Sequence, residues 1–224
     1  MRHFEEEMND LKSRLVDMSV LVQKMIKTTI DQLVTRNGEL LETILAFEGE
    51  VNIQELVIDD KCLKLIALNQ PVGADLRFLT SAMRINSDLE RMADEAVNIS
   101  EMADNLIKRP PVKPLITIPQ MAGEVQKMVV NCIQAFNEND TELASAVLQE
   151  DDVVDSLEAQ VIEDLKGYMI KSSDADTIQS AIELIQVARS LERIGDHATN
   201  IGEDVIFMLC GKDIRHSRYT IQKN

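Results

Sequence analysis

The chain has no tryptophan, only 3% aromatic residues, eight glycines and five prolines among its 224 residues. A fold of many short strands needs frequent turns, and glycine and proline are the residues that usually make them. Leucine, isoleucine, valine, alanine and methionine carry the apolar content instead, and these residues suit helix-on-helix packing. The composition therefore disfavours a many-stranded β fold and favours a few long helices.

Positive charge is also scarce, since 23 lysines and arginines stand against 39 acids and give a net charge of −16. Binding to DNA or RNA requires a basic surface, and so does a helix that lies on anionic lipid, so neither is expected. A structural bundle or a lipid-surface binder is a further alternative, which binding to anionic vesicles would support.

Membrane and secretion signals are missing as well. No run of 18 apolar residues is present, which argues against direct membrane insertion. The N-terminus, MRHFEEEMND, lacks the apolar core of a signal peptide. Cys62, Cys132 and Cys210 are isolated and odd in number, which is typical of reduced thiols packed as small apolar residues. We therefore expect a cytoplasmic protein.

No catalytic motif is present: the chain lacks GxGxxG, GxxxxGK[ST], GxSxG and HExxH. A di-metal carboxylate enzyme of the helical-bundle type is the alternative to a protein without catalytic turnover. Such an enzyme needs Glu-x-x-His pairs inside a four-helix core. The chain contains no such pair. We expect no enzymatic activity. Measurements of bound iron and oxygen consumption would distinguish a non-catalytic protein from a di-metal enzyme.

Four of the five prolines fall in one stretch, RPPVKPLITIP, at 109–119. Proline removes a helical hydrogen bond and restricts the residue before it, so a helix is not expected to run through this stretch. The predicted organisation is a first three-helix bundle over 1–108, a stiff linker over 109–119 and a second three-helix bundle over 120–224.

Turn signals divide each half into three long segments. They are TRNGE at 35–39 and LNQPVGA at 68–74, then FNENDTE at 136–142 and KSSDADT at 171–177. Segments of about 30 residues make helices of roughly 45 Å. Apolar residues recur every three or four positions, and Asp174 or Ser173 is a plausible N-cap for the last segment. We expect an all-α protein with six long helices in two tandem bundles.

The two halves repeat one another. SDLERMADEAVNISE at 87–101 and RSLERIGDHATNIGE at 189–203 share eight of fifteen residues, at an offset of 102. Upstream, EGEVNIQEL at 48–56 parallels DDVVDSLEA at 151–159, at an offset of 103. The nearly constant offset indicates an internal repeat that covers the second and third helices of each half.

Acids recur within this repeat at helical spacing. Positions i, i+4, i+8 and i+11 share a helix face, which predicts a common face for Glu90, Asp94, Asn98 and Glu101, and another for Glu192, Asp196, Asn200 and Glu203. The preceding helices carry Glu48 and Asn52, or Asp151 and Asp155, which an antiparallel hairpin brings level. Water and salt can offset the repulsion on an exposed face. A bound cation is the other possibility, and carboxylate and amide oxygens suit magnesium, manganese or iron.

Several motifs resemble those of the PhoU family. LERMADEAVNI and LERIGDHATNI are similar to its LERIGD signature, and QPVGADLR at 70–77 is similar to its element between the second and third helices. EVNIQELVID at 50–59, DDVVDSLE at 151–158 and GKDIRH at 211–216 also match. The resemblance covers nearly the whole chain and both repeats.

This resemblance implies two tandem three-helix bundles whose paired acidic motifs bind multinuclear clusters of iron, zinc, magnesium or manganese. It also implies a cytoplasmic negative regulator of phosphate uptake and of the phosphate-starvation response. Its implied partners are the ATPase subunit of the phosphate ABC transporter, the sensor histidine kinase and a second copy of the chain.

Carried over to this sequence, the metal ligands are expected to be Asp151, Asp155, Glu192 and Asp196 in the second half, and Glu48, Asn52, Glu90 and Asp94 in the first. Glu55 and Asp59 lie one and two turns further along the first-half helix and are additional candidates. Because Asn52 removes one charge, the second site is expected to bind metal more tightly. Asp75 and Arg77 are weaker candidates for partner binding, although an acid near a helix N-terminus is often only structural.

Overall fold

A computed structural model describes residues 2–215 of the chain. Within that range it has six α-helices and no strand, which confirms the all-α class. Met1 and residues 216–224, including His216 at the end of the GKDIRH motif, lie outside the described residues. The helices are α1 (Arg2–Thr35), α2 (Leu40–Asn69), α3 (Ala74–Ile107), α4 (Thr117–Glu138), α5 (Thr141–Lys171) and α6 (Ala175–Cys210).

All four predicted turn segments separate consecutive helices. The C-caps of α2 and α4, Gln70 and Asn139, adopt the left-handed conformation, with φ of 47° and 57°. Asp140 caps the N-terminus of α5. Asp174 accepts a hydrogen bond from the backbone N–H of Thr177 at 2.9 Å, which confirms it as the N-cap of α6. The short turns make neighbouring helices antiparallel.

Helices α1 to α3 pack together as one bundle and α4 to α6 as another. The interior is mostly apolar, and α1 alone contributes six fully buried apolar side chains: Leu11, Leu15, Met18, Val22, Met25 and Ile26. Burying a side chain of this size stabilises the fold by about 1.5–3 kcal/mol. None of the helices within residues 2–215 is long and apolar enough to cross a bilayer.

The connection between the bundles is shorter than the predicted linker. Helix α4 begins at Thr117, so Pro119 lies in its first turn. The first N–H groups of a helix have no partner within the helix, and a proline there loses no hydrogen bond. Arg109 ties the connection to α6 through two hydrogen bonds to the carboxylate of Glu183, at 2.8 and 2.9 Å.

The two bundles meet mainly through α3 and α6, which run antiparallel. Arg77 near the start of α3 contacts Met208 near the end of α6, whereas Glu95 further along α3 contacts Arg193 earlier in α6. Because α3 and α6 are equivalent in the repeat, this packing relates the two halves by an approximate twofold axis. The hairpin of α2 and α3 and the hairpin of α5 and α6 therefore expose separate but equivalent surfaces, one in each half.

Two acidic clusters as candidate metal centres

The first acidic cluster lies on the hairpin of α2 and α3 and consists of Glu48, Glu55, Glu90 and Asp94. The pKa of Glu90 is raised by burial and then by repulsion from Asp94, Glu55 and Glu48, while Arg91 opposes the rise. The pKa of Glu55 is raised by burial and then by repulsion from Asp59 and Asp94. Since repulsion of this kind requires proximity, the hairpin brings acids of both helices together.

The second acidic cluster lies on the hairpin of α5 and α6 and consists of Asp151, Asp155, Glu158, Glu192 and Asp196. Burial raises the pKa of Glu192 to about 7, with further contributions from Asp196, Glu158, Asp155 and Asp151, in that order. Asp151 is only 7% exposed, whereas Asp155 and Asp196 face solvent. Four neighbouring acids thus repel the negative charge of the half-buried Glu192 carboxyl group.

The helical spacing and the antiparallel hairpin explain this convergence. On α5, Asp151, Asp155 and Glu158 follow one another at four and three residues, so they share one face. On α6, Glu192 and Asp196 are four residues apart and face the same hairpin. The like charges must be offset by water, by protons or by a cation.

Sequence reasoning did not include Glu158 among the candidate ligands. The signal was available, because the offset of 103 residues makes Glu158 the equivalent of Glu55. The same offset makes Asn52, which is exposed on α2, the equivalent of Asp155. The first cluster therefore has one acid fewer than the second at the equivalent positions.

Asp59 belongs to a partly buried hydrogen-bonded group beside the first cluster. Asn86 Nδ2 donates to Asp59 Oδ1 at 2.9 Å and to the carbonyl oxygen of Glu55 at 3.0 Å. The amide Oδ1 of Asn86 is buried and receives no hydrogen bond within the described residues. An acceptor oxygen left over in this way can be satisfied by water or by a cation. In the second half Ala188 and Ile162 occupy the equivalent positions.

The donor chemistry of both clusters suits hard and borderline cations. Every ligand atom on offer is an oxygen, which matches magnesium, manganese or carboxylate-bound iron better than a structural zinc site built from cysteine and histidine. Within residues 2–215, no three or more His, Cys, Asp or Glu side chains are placed so that they could hold one ion together. The oxygen atoms of the clusters therefore suit such a cation. In the described side-chain positions, however, no group of three acids converges on one point.

The outer members of the predicted helix faces lie elsewhere. Asn98 and Glu101 line a groove between α3 and α6. Asn200 donates to Asp88 Oδ1 on α3 at 3.4 Å, and Glu203 lies near Arg215. Each residue advances a helix by 100°, so eight residues rotate a side chain by about 80°. That drift turns Asn98 and Asn200 away from the hairpins and toward the other half.

The candidates for partner binding differ in their surroundings. Arg77 Nε donates to the carbonyl oxygen of Met208 at 3.2 Å, and the guanidinium lies beside Gly211 at the end of α6. Arg77 therefore caps α6 within the chain. Asp75 is exposed in the first turn of α3, and its role toward a partner stays a prediction.

Comparisons with known proteins agree with these repeats. A family model described as the PhoU domain matches residues 15–103 and again residues 118–205. A protein of Pseudomonas aeruginosa named as a homolog of PhoU, the phosphate-specific transport system accessory protein, is 33% identical over 99% of this chain and 91% of its own length. One of Aquifex aeolicus with the same name is 37% identical over 94% of this chain and 95% of its own length. The crystal structure of PhoU from Pseudomonas aeruginosa superimposes with a TM-score of 0.89, covering 93% of this chain and all of that one.

Proposed function

Because the chain belongs to the PhoU family, we propose that it is an accessory protein of a phosphate transport system that represses the phosphate-starvation response when phosphate is plentiful. The observation that carries the proposal is the match of both halves, over almost the full length, to relatives named as accessory proteins of phosphate-specific transport. A partial match could reflect a shared bundle alone, whereas two matched copies in the same order support the same use of the whole chain.

The proposed partners are the ATPase subunit of the phosphate ABC transporter and the phosphate sensor histidine kinase, on the cytoplasmic side of the membrane. The chain would connect them without catalytic turnover. Helix α2 supports an interface in the first half, because Ile53, Leu56 and Leu63 on it are 65%, 69% and 56% exposed. The equivalent residues of α5 are Ser156, Ala159 and Lys166, so only the first half presents this apolar face. A second copy of the chain is the other proposed occupant.

We further propose that the acidic clusters hold metal ions, with the second cluster binding more tightly. Asp151, Asp155, Glu158, Glu192 and Asp196 would supply the oxygens, after rotation of their side chains toward a common point. A bound cation would offset the mutual repulsion that, together with burial, raises the pKa of Glu192. Its chemical contribution would be to hold α5 and α6 in register and to offer an open coordination position to an anionic group.

A pull-down from phosphate-replete cells tests the proposed partners. The tagged chain is recovered and the bound proteins are identified by mass spectrometry, in parallel with phosphatase activity in a strain that lacks the gene. We expect recovery of the transporter ATPase or the sensor kinase, and constitutive phosphatase activity in the deletion strain. A deletion strain that still represses phosphatase at high phosphate would contradict the proposal.

Variants of α2 locate the interface. Replacing Leu56 by serine, together with Ile53→Ser, removes exposed apolar surface without touching the core. We expect weaker recovery of the partner or loss of self-association. The matched control is Val153→Ser on α5, where the side chain is 47% exposed, and it should leave recovery unchanged.

A further inference from the structure

The groove between α3 and α6 near the C-terminal end of α3 is lined by arginine and amide side chains and has a volume of about 400 Å³. Arg189 and Arg193 reach it from α6, and Asn98 and Asn105 reach it from α3. Arg193 forms an ion pair with Glu95 at 3.2 Å. Arg189 is exposed and makes no hydrogen bond or ion pair within residues 2–215. A guanidinium in this setting is available to a ligand.

The approximate twofold axis supplies an internal comparison, because the same interface has an equivalent end near the C-terminus of α6. There Arg84 Nη1 donates to the buried carboxylate of Asp204 at 2.9 Å, and its guanidinium lies 5.4 Å from the centre of the Phe207 ring. Asp88 pairs with His197 at 2.8 Å. That end of the interface is closed by groups of the chain itself.

The groove is built from different side chains. The offset of 102 residues places Met102 where the other end has Asp204, and Ser190 where it has Asp88. It also places Asn105 at the equivalent of Phe207, and Arg189 at the equivalent of Ser87. Both carboxylates of the closed end are thus replaced by uncharged side chains, and an amide takes the place of an aromatic ring. Gln186 stands where the closed end has Arg84, so Arg189 makes up for the arginine that this exchange removes. Glu95, which pairs with Arg193, stands where the closed end has His197. In a chain of net charge −16, Arg189 thus faces this groove without an ion pair within residues 2–215, beside Arg193, whose charge Glu95 partly offsets.

We propose that this groove binds a phosphate oxyanion, either inorganic phosphate or the phosphate group of a small monoester. Guanidinium groups match phosphate oxygens in geometry and charge, and amide and hydroxyl groups can donate the remaining hydrogen bonds. Arg189 and Arg193 are four residues apart on one helix face and approach the ligand from one wall of the groove. Asn98 and Asn105 approach it from the other.

Glu101 is the one carboxylate that lines the groove, and it adds selectivity. A carboxylate only accepts hydrogen bonds, so it repels a fully deprotonated anion. Hydrogen phosphate retains a proton at neutral pH that can be donated to Glu101, whereas sulfate has none to donate. The groove therefore favours phosphate over sulfate.

The inference deepens the proposed function, since it would make the chain a direct sensor of phosphate. The choice of phosphate among oxyanions rests in part on that function, whereas the existence of an oxyanion site rests on the groove alone. A chain that represses the starvation response without binding phosphate would leave the proposed function intact and refute this inference.

Equilibrium dialysis of the full chain against labelled inorganic phosphate tests the site. A chelator is present throughout, so that metal ions in the acidic clusters cannot bind the phosphate. Unlabelled sulfate and a small sugar phosphate serve as competitors, and they distinguish a free phosphate from a monoester. We expect saturable binding that sulfate displaces poorly. Failure to detect binding of either phosphate ligand at millimolar concentration would overturn the proposal.

Substitutions assign any binding to the groove. Arg189→Ala should weaken phosphate binding by about tenfold to a hundredfold, the usual effect of losing a hydrogen bond to a charged group. The control is Arg91→Ala, which removes an exposed arginine at the position equivalent to Arg193, outside the groove, and should leave the affinity unchanged. Glu101→Gln should allow sulfate to compete. Equal affinities for the wild-type chain and Arg189→Ala would overturn the proposal.

Discussion

Arg84 on α3 and Asp204 on α6 form an ion pair that joins the two halves of the chain, with Nη1 of Arg84 2.9 Å from Oδ1 of Asp204. The Asp204 side chain is 6% exposed and that of Arg84 is 38% exposed. Burial raises the pKa of Asp204, and the neighbouring guanidinium opposes the rise. The guanidinium thus partly offsets the cost of burying this carboxyl group at the interface between the bundles.

Removing Arg84 should therefore destabilise the protein. Arg84→Ala leaves the Asp204 carboxylate buried without its partner, and we expect the free energy of unfolding to fall by about 1–3 kcal/mol, less than for a fully buried pair because Arg84 is partly solvated. Urea denaturation measures the change. Arg189→Ala is the control, since it removes an unpaired arginine from the other end of the interface and should change stability by less than about 0.5 kcal/mol. Equal effects of the two substitutions would contradict a stabilising role of the ion pair between Arg84 and Asp204.

Two glycines of α6 should respond differently to alanine. A Cβ on Gly195 would meet the nearest atom, Val154 Cγ1, at 3.5 Å, whereas a Cβ on Gly202 would lie 3.0 Å from the backbone oxygen of Ala144. Alanine is favoured over glycine inside a helix by about 1 kcal/mol. Gly195→Ala should therefore be neutral or stabilising.

Gly202→Ala should be less stable than Gly195→Ala by about 1 kcal/mol or more, because the backbone of α5 cannot yield as a side chain can. Thermal denaturation of the two variants side by side measures the difference. If Gly202→Ala were the more stable of the two, the close approach of α5 and α6 would be wrong.

The pH dependence of stability should report the crowding of the second cluster. The pKa of Glu192 is raised from 4.5 to about 7 in the folded chain, so between these values the folded state binds more protons than the unfolded state. The free energy of unfolding should therefore fall as pH rises from 4.5 to about 7. Denaturation in the presence of a chelator at several pH values measures this decline, and Glu192→Gln should make it shallower. Parallel curves for the wild-type chain and Glu192→Gln would count against the raised pKa.

Asn52→Asp should make the first cluster resemble the second. The substitution adds the acid that Asp155 supplies in the second half, and it increases repulsion around Glu90. We expect a lower melting temperature in the presence of a chelator and a larger rise of that temperature on addition of manganese. The opposite substitution in the second half is Asp155→Asn. It should raise the melting temperature in the presence of a chelator and reduce the rise of that temperature on addition of manganese. An Asn52→Asp variant with an unchanged manganese response would show that residue 52 lies outside any ion site.

Local features of the fold could be predicted from the sequence because they depend on neighbours in the chain. Periodic apolar residues predict the helices, and the sequence offers Asp174 or Ser173 as the N-cap of α6, of which Asp174 is the cap in the structure. The start of α4 was missed, because a helix tolerates Pro119 in its first turn. Glu158 could be predicted as well, because the repeat offset of 103 makes it the equivalent of Glu55.

Features that depend on how the halves pack could not be predicted in the same way. Asn98 and Asn200 were grouped with the acidic faces by periodicity, but eight residues of helical rotation turn them toward the other half. The pair of Asp88 and His197 joins residues 109 positions apart. Its existence follows from the antiparallel contact of α3 with α6, which no pattern within one helix encodes.

Calorimetric titration of chelator-treated protein with manganese tests most directly whether the second acidic cluster binds metal ions, as we propose. The wild-type chain is compared with Glu192→Gln combined with Asp196→Asn, and with Glu90→Gln combined with Asp94→Asn as the equivalent change in the first cluster. We predict that the second-cluster variant loses the tighter binding and that the first-cluster variant retains it. Identical titrations of all three proteins, or no binding by the wild-type chain, would contradict the claim.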